Sequence, residues 1–260
     1  MADRTAPAPA APADPTARAT VVVDDLHVVY RVLVSGKRVG DGHRRLLKRS
    51  PGMRRTREVR ALRGVSFVAR EGDVVGVVGK NGSGKSTLLR AIAGLTPAAE
   101  GAVYADGEPA LLGVNAALIN ELSGERNVVL GALALGLTPE QVDESYDTIV
   151  EFAGLGEFIE LPMNTYSSGM AARLRFAIAT VTMQRVLLID EALATGDATF
   201  RKRSEERIAQ LRSQAGTVFL VSHSLGVIRE TCNRALWIDG GVLRMDGAVG
   251  EVLDAYSASS

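Results

Sequence analysis

Gly79-Lys80-Asn81-Gly82-Ser83-Gly84-Lys85-Ser86-Thr87 satisfies G-x-x-x-x-G-K-[ST] at every fixed position, the pattern of a loop that cradles phosphate. The setting agrees: an apolar run, Val74 to Val78, leads in, and Leu88 to Ala93 continues as a helix. Glycines let successive backbone N–H groups converge on phosphate oxygens, and the helix adds its positive end. Lys85 then reaches the β- and γ-phosphates of a nucleotide such as ATP, and the Ser86 hydroxyl ligates Mg²⁺.

A second constellation supplies acids. Val186-Leu187-Leu188-Ile189 is an apolar run that ends in Asp190-Glu191. The run is predicted as a core strand with Asp190 at its C-terminal end, where α/β proteins place ligands. Asp190 is a direct or water-mediated Mg²⁺ partner, and Glu191 is suited to orient or deprotonate the water attacking the γ-phosphate. Ser167-Ser168-Gly169, just before a helix over Ala171 to Ala179, is either an ordinary N-cap or a further anion-binding turn.

These residues need elements to hold them. Thr20 to Tyr30 is predicted as a strand, and Val59 to Val68, Ala102 to Tyr104 and Ala110 to Leu112 as others. Residues 121–180 read as mostly helical. Within them Thr138-Pro139-Glu140-Gln141 is a helix start with a capping box, the helix running to about Phe152. Strands over Arg185 to Ile189 and Thr217 to Val221 then alternate with helices over Arg203 to Ser213 and Leu225 to Thr231. That alternation predicts an α/β fold with a largely parallel sheet. Short strands at Leu236 to Ile238 and Val242 to Arg244, and a helix over Gly250 to Tyr256, close the chain.

Bulk properties narrow the class. The 260 residues can bury one large core or at most two modest ones, and 30 Lys+Arg against 30 Asp+Glu name no polyanionic partner. The balance is local: ten basic residues and one acid, Asp41, fall between Arg31 and Arg57. The single Cys232 excludes an internal disulfide and fits a reducing compartment. Residues 1–19 are Ala- and Pro-rich and read as a disordered tail, and 257–260 as a flexible end. No stretch is long and apolar enough to span a membrane.

In order and spacing, the loop, Tyr166 to Met170, Asp190-Glu191, Asp197 and His223 resemble ABC-type ATPases. The likeness covers about 21–256. It implies a P-loop ATPase domain over 20–256, with an N-terminal antiparallel β portion, a basic insertion at 31–58 and a helical subdomain at 115–180 carrying the signature motif. The usual signature is Leu-Ser-Gly-Gly-Gln; Ser167 and Gly169 match it, while Tyr166, Ser168 and Met170 do not. The Tyr-Ser-Ser-Gly-Met form, with Leu193 to Phe200 after the acids, resembles the ATP-binding subunits of bacterial exporters of O-antigen, teichoic acid or galactan.

The resemblance implies more roles. His223 contacts the γ-phosphate and holds the attacking water, and Asp197 belongs to a loop crossing a dimer interface. Many relatives place a glutamine near Val114 or Asn115; Asn115 is the candidate substitute. Tyr30 either stacks on adenine or is a core or edge tyrosine.

Partners follow from the same source. A second copy of the chain completes each ATP site, with Ser167, Ser168 and Gly169 covering nucleotide on the opposite loop. A separate permease dimer supplies the membrane path and sets the protein on the cytoplasmic face, with a lipid-linked glycan as indirect substrate. The basic insertion either touches anionic headgroups or the permease, or is a solvated loop. About 20 residues follow Trp237, too few for the glycan-recognising β-domain of some relatives. An importer ATPase, or a soluble ABC-type ATPase on nucleic acid or ribosomes, is the alternative.

Overall fold

The structure, a computed structural model, describes residues 16–34, 55–112, 118–181, 184–190, 198–222 and 224–259. Two long strands, β1 (Ala19–Val34) and β2 (Arg55–Arg70), pair antiparallel along most of their length. Their apolar side chains turn inward, so Val21, Val23, Val28, Leu62, Val65 and Phe67 reach the core. β3 (Val74–Val78) then runs inside the molecule and delivers the chain to α1 (Lys85–Ile92). β4 (Glu100–Ala105) returns to β1, giving a three-stranded sheet in the order β2-β1-β4.

The second sheet is assembled from distant segments. β5 (Ala110–Leu112) precedes a helical unit of α2 (Gly124–Ala134), α3 (Pro139–Ala153) and α4 (Ser168–Ala179). β6 (Val186–Ile189), α5 (Ala198–Gln214), β7 (Thr217–Val221), α6 (Leu225–Thr231), β8 (Arg234–Asp239), β9 (Val242–Ala248) and α7 (Val249–Ala258) follow. Six strands lie in the order β5-β6-β7-β3-β8-β9, parallel through β8, with β9 antiparallel at the edge.

Strand alternation sorts the buried side chains into two layers. Val75, Val77, Leu188, Phe219 and Ile238 face α1 and the antiparallel sheet. Val78, Leu187, Ile189, Val218 and Leu220 face the other way, onto Leu211, Ile228, Val252 and Leu253 of α5, α6 and α7. Both faces of the parallel strands are therefore covered, which is why these runs read as continuously apolar. The helical unit has its own core, built on Val128, Ile149, Leu174 and Ile178. Thr138 caps α3 with a complete capping box, as the sequence predicts, and Gly154 ends it in a left-handed turn.

The structure extends several predicted elements. β1 and β2 remain paired from Arg31↔Glu58 out to Val34↔Arg55, so the ladder takes in both ends of the segment assigned to an insertion. Ala17 and Arg18, assigned by composition to a disordered tail, are bonded: the Ala17 carbonyl accepts from Arg70, and Arg18 pairs with Asp106 at 3.1 Å. At the other end α7 continues through Ala258, and the Ser257 hydroxyl donates to Leu253, where a flexible end was expected. The helix is anchored by the buried Val252 and Leu253 and carries on through the exposed Ser257 and Ala258.

Candidate functional site

The end of β3 is where the phosphate-binding loop takes shape. Gly79 adopts φ 147° and Gly84 φ 113°, left-handed values that disfavour side chains. Space is equally restrictive: a Cβ on Gly79 would stand 2.1 Å from the Ile238 carbonyl oxygen, and one on Gly84 2.7 Å from that of Ala61. The loop is thus pinned between β8 and β2. Lys85 arches back over it, its Nζ donating to the carbonyls of Gly79 at 2.7 Å and Lys80 at 3.1 Å. Ser83 is buried and its amide donates to Lys80, while its hydroxyl has no partner among the described residues.

α1 starts at Lys85 with no side-chain cap at Gly84. An N-terminus without a side-chain cap suits an incoming anion. In front of them lies a cleft of about 610 Å³, lined by Asn81, Gly82, Gly84, Lys85, Ser86 and Thr87. Asp190 and Val221, at the C-terminal ends of the adjacent strands β6 and β7, also line it. So do Val59, Arg60 and Ala61 of β2.

Ser86 and Asp190 bring a hydroxyl and a carboxylate to the same cleft. Two hard oxygen donors fit a Mg²⁺ ion, which binds through few protein groups and fills its octahedron with water and substrate oxygens. Among the described residues no cluster of three or more His, Cys, Asp or Glu could hold a metal by itself. Tyr30 is also brought to the loop, its hydroxyl 3.5 Å from Thr87 Oγ1, with its side chain 40% exposed.

Ser167 is the N-cap of α4, its Oγ accepting from the Met170 amide at 3.2 Å. Ser167, Ser168 and Gly169 lie at the head of that helix and do not line the cleft of their own chain. Tyr166, a departure from the usual signature, has a local function. Its hydroxyl donates to the Phe158 carbonyl at 2.6 Å and abuts Gly124 at the start of α2. Burial pushes its phenol above the usual tyrosine range.

Sequence reasoning missed Asn127. It is fully buried on α2, accepts from the Ile119 amide at 2.7 Å and donates to the carbonyls of Ile119, Leu122 and Ser123. An Asn inside a helix, four residues after a Ser cap, is the signal that it binds backbone instead of solvent. The β2 wall was missed too, because its approach to the loop follows from a pairing that the basic segment obscures. Asn115, Glu191, Asp197 and His223 lie outside the described residues.

Comparison with known proteins gives consistent matches. The family model described as ABC transporter matches residues 62–194. The Teichoic acids export ATP-binding protein TagH of Staphylococcus saprophyticus is 42% identical over 196 residues, 75% of this chain and 74% of that protein. TagH of Bacillus anthracis is 41% identical over 75% of this chain, which spans only 36% of that protein's length. The O-antigen export system ATP-binding protein RfbB of Myxococcus xanthus is 41% identical over 81% of this chain and 49% of its own. Among solved structures, the ATP-binding subunit of an ABC transporter superposes with a TM-score of 0.67 at 20% identity, covering 92% of this chain and 93% of its own. A dimeric ATP-binding cassette in a post-hydrolysis state with ADP and Pi gives 0.64 at 21%, covering 88% and 98%.

Proposed function

The chain belongs to the ABC transporter family, and on that premise we propose that it hydrolyses ATP to drive export of a lipid-linked polysaccharide through a separate membrane permease. One observation carries the ATP half: the loop amides, Lys85, Ser86 and Asp190 converge on a single cleft. The export half rests on the likeness to teichoic-acid and O-antigen export proteins.

In this reading Gly82 to Thr87 bind the phosphates through backbone amides, and Lys85 leaves its loop carbonyls to meet the β- and γ-oxygens. Ser86 and Asp190 hold Mg²⁺, which when bound neutralises charge developing on the transferred phosphoryl group. Glu191, next after Asp190, orients or deprotonates the attacking water, and His223 holds it against the γ-phosphate. Asn115 takes the place of the family glutamine, and Tyr30, already beside Thr87, stacks on the adenine.

Ser167, Ser168 and Gly169 stand away from their own cleft, so a second copy presents them to the nucleotide, with Asp197 crossing between the two. Closure of that pair excludes water and completes the donor set. The permease docks on the helical unit, where Val129, Leu130 and Leu133 of α2, with Ile119, Phe158 and Leu161 nearby, are exposed apolar side chains that need a cover. No described helix is long and apolar enough to cross a membrane, which leaves the passage to that partner. The protein then works at the cytoplasmic face of the membrane.

Glu191→Gln tests the chemical step. The variant should bind ATP as the wild type does and accumulate as an ATP-bound dimer, with turnover reduced about 10²-fold or more. Unchanged hydrolysis removes Glu191 from the mechanism. Recovering the chain from membranes should bring a permease and its lipid-linked glycan with it. Recovery with nucleic acid or ribosomes instead would redirect the function to a soluble ATPase.

A further inference from the structure

The β2 wall of the cleft carries a cation that the proposed chemistry has not used. Arg60 lines the cleft between Val59 and Ala61, and its side chain is exposed to it. β2 lies directly against the loop here, since the Ala61 carbonyl would stand 2.7 Å from a Cβ on Gly84. The ladder fixes the position further: Val59 is paired with Tyr30, whose hydroxyl reaches Thr87, and Arg60 is paired with Val29. Arg60 therefore stands on the flank where α1 begins, in the same cleft as Asp190 at the end of β6.

The described residues around it do not satisfy it. On the same ribbon Arg31 is engaged by Glu58 at 3.4 Å. No described residue hydrogen-bonds to or ion-pairs with the Arg60 guanidinium. Among the described residues, the other charged groups lining the cleft are Lys85 and Asp190. A nucleoside triphosphate carries more negative charge than one lysine and one Mg²⁺ cancel, and a guanidinium offers a planar fork that matches phosphate oxygens.

We propose that Arg60 is a further nucleotide-binding residue, its guanidinium contacting a phosphate of the bound nucleotide from the β2 side. The proposal rests on the ATP-binding reading of the loop and adds a contact outside the loop, from the other sheet. It makes the long β1–β2 ribbon part of the binding site, so that phosphate binding ties the antiparallel sheet to the parallel one.

The test is calorimetric titration of the intact chain with ATP, ADP and adenosine, over a series of NaCl concentrations, for the wild type, R60Q and R60K. R60Q should weaken ATP and ADP about tenfold, the scale of one charge-assisted hydrogen bond. Adenosine should bind R60Q as it binds the wild type. The dependence of ATP affinity on salt should flatten in R60Q, and R60K should recover part of the loss at low salt. ATP binding by R60Q within about twofold of wild type overturns the proposal, and so does equal weakening for adenosine, which would place the guanidinium on the base. Wild-type protein that binds no ATP sinks the nucleotide reading itself, a result distinct from either. Because no described residue bonds to the Arg60 guanidinium, R60Q should unfold at the wild-type temperature. If it does not, the ratio of ATP to adenosine affinity within each variant still decides, since misfolding lowers both together.

Discussion

Gly79 leaves the least room for change of any residue in the loop. Its φ of 147° and the Ile238 carbonyl 2.1 Å from a hypothetical Cβ act together, because both penalise the same atom. Gly79→Ala should therefore cost on the order of 3 kcal/mol of stability, measured by urea unfolding. A loss under about 1 kcal/mol would mean that the loop shifts away from β8 without penalty. The fixed motif positions were legible at this scale because backbone approach to phosphate demands glycine whatever the rest of the chain does. Tyr166 was legible only as a departure. Its hydrogen bond to Phe158 and its contact with Gly124 join segments that no local pattern connects. Arg60 was invisible for the same reason: its place beside Gly84 depends on which strands pair.

α3 shows how much an element's own sequence can specify. Thr138 accepts from Gln141, Gln141 accepts in return from the Thr138 amide, and Pro139 sits in the first turn. Thr138→Ala should destabilise the protein by about 1 kcal/mol in urea unfolding. Glu140, in the same turn, has its pKa lowered by a backbone hydrogen bond and by the Thr138 side chain. The folded state thus favours the carboxylate. That contribution is present above the ordinary glutamate range and fades as pH falls through it. Melting temperatures of Glu140→Gln and wild type should accordingly converge at acid pH and separate towards neutrality. Divergence on acidification instead would reverse the assigned sign. Strand limits were less legible than this helix. Beyond Tyr30 the alternation of β1 gives way to Arg31, Val32 and Leu33, where exposed residues on a two-stranded ribbon show no core-facing period.

At the scale of the whole molecule, the sequence implied layers but not their order. Strand–helix alternation announces a parallel sheet, yet nothing local says that β3 lies between β7 and β8. That arrangement creates the site, because it sets Asp190, Val221 and the loop together at the C-terminal ends of neighbouring strands. It also joins the loop to the far end of the chain. Gly240 and Gly241, both with positive φ as a tight hairpin requires, turn β8 into β9. At that turn the Gly241 amide donates to the Ser83 carbonyl at 2.9 Å, while its own carbonyl accepts from Arg63 at 2.8 Å. A chain ending at Asn233 lacks this bolt and should bind no ATP, even though the whole motif is present; tight binding by that fragment would show that the loop holds its shape unaided. The hairpin also sets a schedule for biosynthesis. On the ribosome, the phosphate loop emerges roughly ten to thirty seconds before the turn that locks it, at 5–20 residues per second. A nascent chain thus stays blind to cellular ATP until its last strands leave the exit tunnel, and nucleotide becomes a ligand only of the finished fold.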